Sequence, residues 1–425
     1  MKLYAQIVLL LYKILTIFIA PIGATFLSYK KRKDPSYGVK FFNLLGFYKK
    51  QSGNFVWFHG ASVGEINALK PLVNEFTKTN PNQKVVVTTM TMTGYLQAKT
   101  IKDVHVAISP LDSPLSLWGF FHAFHPKALF IIDTELWPNM LDKAYKNHCP
   151  VVIFNARLQD KNVKSYLKHK FLVKHLIADK LSSVLCMSFA DLMRFKHIGV
   201  DEDKLKVTGN IKYDLKPRDE LFAKALTYKN QLFKGKVFGA ISTHEGEEEI
   251  VINSFIEAKK HLSNLKLVLV PRHQTTVSKA CELLTSNQIT FKKKSELKDL
   301  CDFSADVLIG DTMGEIELYL GLCDLVFMGG SFVNVGGHNP LEPAYFSLPI
   351  LTGPDYHNFQ EQFDKLIDAN GAYLAYDPKE LTRLIVKLLE DQELLEKTGI
   401  KALDIQQQGR GALKRTLSNM EKFII

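Results

Sequence analysis

Cysteine is scarce and scattered: the 425 residues hold five, Cys149, Cys186, Cys281, Cys301 and Cys323. An odd number with no CxxC pair argues against a disulfide framework, and no Cys/His cluster has the spacing of zinc ligands. A reducing compartment fits this usage. Acidic residues are fewer than basic ones, 44 against 54, which leaves a formal net charge of +10. That imbalance favours anionic partners, whether nucleic acid, phosphates or an acidic membrane surface, and does not separate them. There is no internal repeat of fixed period and no low-complexity tract.

Long apolar runs are also missing, with one exception at the start. Leu3 to Leu27 is almost wholly apolar, broken by Lys13, Pro21 and Gly23, and is followed by Lys30-Lys31-Arg32-Lys33. A cleaved signal peptide carries its charge before the apolar run, not after it. Positive charge after the run places the bulk of the chain in the cytoplasm, at the inner face of a membrane. The run reaches the roughly 20 residues needed to span. Lys13 near its middle suits an in-plane anchor equally well, and the alternative is a buried first helix of a soluble protein.

What remains is an ordinary globular mixture, 46% hydrophobic and 23% charged, long enough for two domains. Short β-branched runs alternate with helical stretches from Asn54 onward. The first series places strands at Phe55–His59, Lys84–Thr89, Val104–Ser109, Ala128–Asp133 and Val151–Phe154, then more weakly near Ser183–Cys186 and Lys206–Thr208. The second places them at Val237–Ile241, Lys266–Val270, Ile289–Phe291, Val307–Ile309, Leu325–Met328 and Pro349–Leu351. Continuous apolar strands between helices predict parallel sheets covered on both faces. The expected fold is α/β, with two doubly wound parallel-sheet domains facing across a cleft and an N-terminal membrane-anchor helix. The expected boundaries are 1–33 for the anchor and its basic flank, 34–213 for the first domain, 214–235 for a charged, strand-free connection and 236–425 for the second domain. The last helix is free to return to the first domain.

Ligands of doubly wound folds bind beyond the carboxyl ends of the strands. His59-Gly60-Ala61-Ser62-Val63-Gly64-Glu65 carries a strand end, a small-residue turn and a helix start. Glu65 there either complements the helix dipole or, ionised, takes a proton from a hydroxyl. Asp133-Thr134-Glu135-Leu136-Trp137 follows another apolar strand and reads as a site wall or as a capped turn. Gly329 to Pro343, with four glycines after a core strand, reads as a phosphate loop, with Glu342 as an acceptor for ribose hydroxyls. It is neither a GxGxxG nor a Walker A pattern. Ser242 to Glu247, Pro271-Arg272-His273 and Asp311-Thr312-Met313-Gly314 follow neighbouring strands, and Arg272 supplies a fixed cation. Asp201-Glu202-Asp203 matches a D-x-D metal pattern but lies in a polar stretch and reads as a solvated loop. No other acidic cluster suggests a metal.

Nine blocks in order, HGASVGE, TTMTMTG, TELWPN, NARL, GNIKYD, STHEGEEE, PRH, DTMGE and GGSFVNVGGHNPLEP, give the chain a likeness that runs from the anchor to near Tyr373. It resembles the family of 3-deoxy-D-manno-octulosonic acid (Kdo) transferases of lipopolysaccharide assembly. The resemblance implies a GT-B fold, cytidine monophosphate-Kdo (CMP-Kdo) as donor and a phosphorylated lipid A precursor as acceptor. It implies action at the cytoplasmic face of the inner membrane, with neither a metal nor another cofactor. Glu65 then corresponds to the catalytic base. Ser242, Thr243, Arg272, His273, Met313, Gly314, Ser331, Gly336, Gly337, His338, Asn339 and Glu342 correspond to the donor site. Arg272 would lie at the phosphate, Met313 near the cytosine and Glu342 at the ribose. Ser62, Gly64, Thr93, Glu135 and Trp137 fall on the acceptor side. Gln274-Thr275-Thr276 depart from the usual pattern, and nothing is carried onto them; Gln159 to Asn162 and Met92 depart as well, which leaves the donor assignment standing and bears on the acceptor contacts. The rivals are a GT-B transferase or epimerase using a uridine diphosphate sugar, and a nucleic-acid or anionic-lipid binding protein. Against the last, the basic residues are dispersed and no aromatic-interleaved basic motif appears, so no nucleic acid is expected.

Overall fold

The computed structural model describes residues 2–30, 41–214 and 217–424. The basic residues at 31–33 therefore lie outside the described residues. The chain forms two compact units, Met1–Asp214 with Arg410–Ile425, and Leu215–Gly409.

The first unit is built on seven parallel strands: β1 (Phe55–His59), β2 (Lys84–Thr89), β3 (His105–Ile108), β4 (Pro126–Ile132), β5 (Val151–Ala156), β6 (Ser183–Cys186) and β7 (Leu205–Val207). Their order is β3-β2-β1-β4-β5-β6-β7. All residues of β1 are buried because both faces are covered. Phe55 and Trp57 pack with Phe120 and Phe124 on one face. Val56 and Phe58 pack with Phe76 on the other, together with Leu417 and Met420 of the C-terminal helix Ala412–Met420. That helix is held at its start by Asp214, whose carboxylate accepts the amides of Gly411 and Leu413, each at 2.6 Å.

The apolar run is one helix, Lys2–Lys30, long and apolar enough to cross a membrane. It lies along the first unit. Ala5, Leu9, Ala20 and Ala24 are buried there, while Leu11, Phe18, Ile22 and Phe26 stay exposed. Three polar residues near its middle are tied down. Tyr12 donates to Asp112 at 2.9 Å, Lys13 pairs with Asp142, and the Asn139 amide donates to the Thr16 hydroxyl at 2.9 Å.

The second unit repeats the plan with β8 (Val237–Thr243), β9 (Lys266–Pro271), β10 (Phe291–Lys293), β11 (Val307–Ile309), β12 (Leu325–Met328), β13 (Ile350–Thr352) and β14 (Ala372–Leu374). These are ordered β10-β11-β9-β8-β12-β13-β14, again all parallel. Every expected strand is present, and β14 is additional. The segment expected as a connection instead contains the helix Asp219–Leu232, part of the second unit. Its Phe222 stacks on Phe346 with centroids 3.9 Å apart, and its Ala225 is fully buried.

In each sheet the strand order reverses beside the first strand. β1 has β2 on one side and β4 on the other; β8 has β9 on one side and β12 on the other. Loops leaving these strands in opposite directions open a crevice at the carboxyl ends.

Candidate functional sites

In the first unit, the crevice lies between the loops after β1 and β4. The helix Val63–Thr79 starts there, with Ser62 as its N-cap. The Ser62 hydroxyl accepts the Glu65 amide at 3.3 Å and donates to Glu65 Oε1 at 2.9 Å. The Ala61 amide donates to Glu65 Oε2 at 2.6 Å. Both oxygens are thus fixed by the first turn, in a variant of the capping box. Burial pushes the Glu65 pKa up; the Ala61 and Ser62 bonds pull it back, and the nearby Asp133 and Glu135 carboxylates push it up again. Gly64 keeps the helix start open, since a β-carbon there would meet only the Ser62 hydroxyl, at 3.9 Å.

Asp133 leaves β4 with φ +65 and bonds Arg157 Nε at 3.2 Å. Trp137 Nε1 donates to Glu135 Oε2 at 2.7 Å, and its indole is 41% exposed. Burial raises the Glu135 pKa as well. Asp133 and Glu135 are close enough to act on the charge of Glu65, so three carboxylates share this crevice. Thr93 sits after β2, its hydroxyl 3.3 Å from that of Thr91. The sequence reading assigned His59 no role beyond ending a strand. It is fully buried at the end of β1, with Nδ1 2.9 Å from the Thr88 hydroxyl, and its Nε2 has no hydrogen-bond partner among the described residues. Burial holds its pKa down at about 4.

In the second unit, the loops after β8 and β12 meet through a carboxylate. Glu247, at the start of the helix Glu247–Lys259, is fully buried. It accepts the amides of Gly330 at 2.6 Å and of His244, Ser331 and Phe332, each at 2.9 Å. The first half of the glycine-rich loop is therefore filled by the protein's own anion, and those amides are not free for a ligand. Ser331 is committed in the same way. Its hydroxyl donates to the Met328 carbonyl and accepts the Gly353 amide, both at 2.8 Å. Thr243 is buried and donates to Glu248 at 2.9 Å. Ser331 and Thr243 thus also brace the loops.

The second half of the loop is different. Gly336 and Gly337 have φ of +94 and +73, a conformation that L side chains rarely adopt, and a β-carbon on Gly336 would come within 2.6 Å of His357. His338 Nε2 lies 2.8 Å from His244 Nε2, with the rings stacked at 5.1 Å. One nitrogen donates and the other accepts, so the two rings share a proton. Burial, together with the charges of His244 and Arg272, holds the His338 pKa down at about 4. His273 stands edge-on to His244, with centroids 5.3 Å apart. Arg272 is exposed, and its guanidinium has no hydrogen bond or ion pair among the described residues. Asn339 bonds the Glu342 carboxyl, whose pKa burial raises to about 7. Met313 is 87% exposed beside Gly314, whose carbonyl accepts from Arg218. Among the described residues no group of three or more His, Cys, Asp or Glu could hold a metal. Asp201 and Glu202 of the D-x-D pattern pair with Lys174 and Lys196.

Residues 40–215 match the family model described as 3-deoxy-D-manno-octulosonic-acid transferase (kdotransferase). A 3-deoxy-D-manno-octulosonic acid transferase of Haemophilus influenzae is 33% identical over 97% of this chain and 98% of its own length. This chain belongs to the Kdo transferase family. A Rickettsia prowazekii protein of the same name is 28% identical over 89% of this chain and 80% of its own length. A UDP-GlcNAc 2-epimerase from Neisseria meningitidis is similar in fold alone, at 15% identity and a TM-score of 0.59, covering 87% of this chain and all of that one. The protein is thus a glycosyltransferase of GT-B type, and the epimerase architecture is shared without its sequence.

Within the Kdo transferase frame, Glu247 and His59 lie in blocks that the sequence singles out, but sequence reasoning assigned neither a role of its own. Glu247 opens a run of three glutamates, and nothing in the run distinguishes it from its neighbours. Only the amides arriving from residues 330–332, far along the chain, show its use. His59 had a signal in its strand, FVWFH, where one polar ring ends four apolar residues.

Proposed function

We propose that this glycosyltransferase moves Kdo from CMP-Kdo to a hydroxyl of a phosphorylated lipid A precursor, in lipopolysaccharide assembly. The acceptor hydroxyl oxygen attacks the anomeric carbon of Kdo as the bond from that carbon to the phosphate oxygen breaks. Cytidine monophosphate leaves with the electron pair, and the hydroxyl proton passes to Glu65. One displacement inverts the anomeric centre. Arg272, with no partner of its own, and the Gly336–Asn339 backbone meet the charge that grows on the leaving phosphate. Glu342 accepts from the ribose, and Met313 lies against the base. Ser62 and Gly64 shape the acceptor side with Glu135, Trp137 and Thr93.

The observation that carries this reading is the fixed carboxylate of Glu65, held by Ala61 and Ser62 at the crevice of the first unit. Its pKa, raised by burial, makes it a stronger base than an ordinary carboxylate. The N-terminal helix supports placement at the cytoplasmic face of the inner membrane, lying in the plane. Its middle is tied to the globular unit by Tyr12, Lys13 and Thr16, and its outer face is apolar. Mass spectrometry of a lipid A precursor incubated with the enzyme and CMP-Kdo tests the reading. The expected product carries added Kdo, and an unmodified acceptor overturns the proposal.

A further inference from the structure

The seam beneath the N-terminal helix holds more positive charge than the fold balances. Lys13, Lys146 and Lys180 all close on one carboxylate, Asp142, with Lys180 at 3.0 Å and Lys146 at 3.2 Å. Burial pushes the Asp142 pKa up, but the bonds from Lys13 and Lys180 outweigh it and leave it at about 2. Asp142 is therefore ionised, and three ammonium groups still face a single negative charge. Two further acids lie nearby: Asp179 is engaged by His175 and Lys174, and Asp112, within electrostatic reach of Lys180, accepts from Tyr12 and from the Asn139 and Met140 amides. Lys180 and Asp142 have side chains only 9% and 7% exposed and Lys13 23%, so solvent screens these three poorly, whereas Lys146 is 62% exposed at the rim.

These groups line a cavity of about 480 Å3 whose other wall is apolar, including Leu9 and Leu10 of the N-terminal helix. Leu10 stands on the same helix face as Ile7 and Ile14, and these three are 57%, 48% and 47% exposed. A basic, half-enclosed cavity opening onto an uncovered apolar ridge suits a ligand with an anionic head and a hydrocarbon tail. We propose that this cavity binds the phosphate of an anionic bilayer phospholipid, one with no cationic group on its head, with the acyl chains lying along the exposed side of the helix. The site also gives Lys13 a use: it is the one charged residue inside the apolar run, and it places an ammonium at headgroup depth. The inference rests on the in-plane membrane placement proposed above and concerns a lipid distinct from the acceptor.

The test is flotation of the full-length protein with vesicles of phosphatidylcholine alone or mixed with phosphatidic acid, without acceptor. Tighter binding to the mixed vesicles is expected. The double variant Lys13→Gln with Lys180→Gln should weaken that binding roughly fivefold for each lysine removed. Lys78→Gln with Lys102→Gln, which changes two exposed lysines elsewhere on the first unit, should leave it near the parent value. Asp142→Asn should move the other way and strengthen it, since it removes the competing carboxylate. Equal losses in the two lysine pairs, or a loss in Asp142→Asn, would show diffuse charge or a purely structural cluster and sink the site. Displacement by inorganic phosphate at the concentration of the accessible lipid would mean a free-anion site and also overturn it. Failure to float with either vesicle type defeats the membrane placement. Equal flotation with both defeats the headgroup site alone.

Discussion

The Glu247 carboxylate accepts the Gly330 amide at 2.6 Å, joining the loop after β8 to the loop after β12 across the crevice of the second unit. With His244, Ser331 and Phe332 it satisfies four backbone donors, in a place where a phosphate would otherwise be expected to settle. The residue acts through the loop and is a positioning residue. Glu247→Gln replaces one acceptor with a donor facing amides, leaving buried N–H groups unpaired at about 1–3 kcal/mol each. The expected result is a lower melting temperature and a raised KM for the donor, with kcat changed much less. A variant with parent-like donor KM would show that the loop holds its shape without this carboxylate.

Glu65→Gln keeps the size of the side chain and the bond from Ser62 but removes the base. Turnover should fall roughly 100-fold or more. Thermal stabilisation by cytidine monophosphate should persist, because that ligand is assigned to the other unit. In the parent enzyme the acid limb of the kcat profile should sit above the ordinary carboxylate range, since burial raises the Glu65 pKa. Near-parent turnover in purified Glu65→Gln would remove Glu65 from the chemistry.

The fold was legible because the strands are continuous apolar runs, and thirteen were readable as such. β14 (Ala372–Leu374) was not, being three residues long with only Ala372 fully buried. The helix Asp219–Leu232 was read as a connection because its charged residues outnumber the few, Phe222 and Ala225 among them, that fix it to the second unit. The candidate residues after β1, β8, β9 and β12 could be placed because each follows a strand end. The hydrogen-bond partners of Ser331 and Thr243 could not. Whether a hydroxyl faces a ligand or a neighbouring loop depends on pairing between strands far apart in sequence.

Under the proposed ribose contact, Glu342 should make donor binding depend on pH. Its carboxyl is raised to about 7 by burial, so near neutrality it is only partly ionised. The ionised form is the better acceptor for ribose hydroxyls, so affinity should rise as pH passes upward through about 7. Cytidine is the ligand to use, because it carries no phosphate to titrate in the same range. Calorimetric titration of the parent should show this rise, and Glu342→Gln should flatten it. A pH-independent parent would mean that the carboxyl does not face the sugar.

His59 gives the first unit a dependence of stability on acidity. The ring is neutral and buried with its pKa at about 4, whereas an unfolded histidine titrates near 6.5. Between those values the unfolded chain binds the proton and the folded one does not, so stability is complete above about 6.5 and is lost as pH falls toward 4. The loss from this group approaches about 1.4 kcal/mol per pH unit inside that window. His59→Gln has no such proton to take up. Its melting temperature should lie below that of the parent at neutral pH, and the gap should narrow steadily as the solution is acidified. A gap that stays constant from pH 7 to about 4 would place the imidazole in contact with solvent or with an anion, not in the dry position at the end of β1.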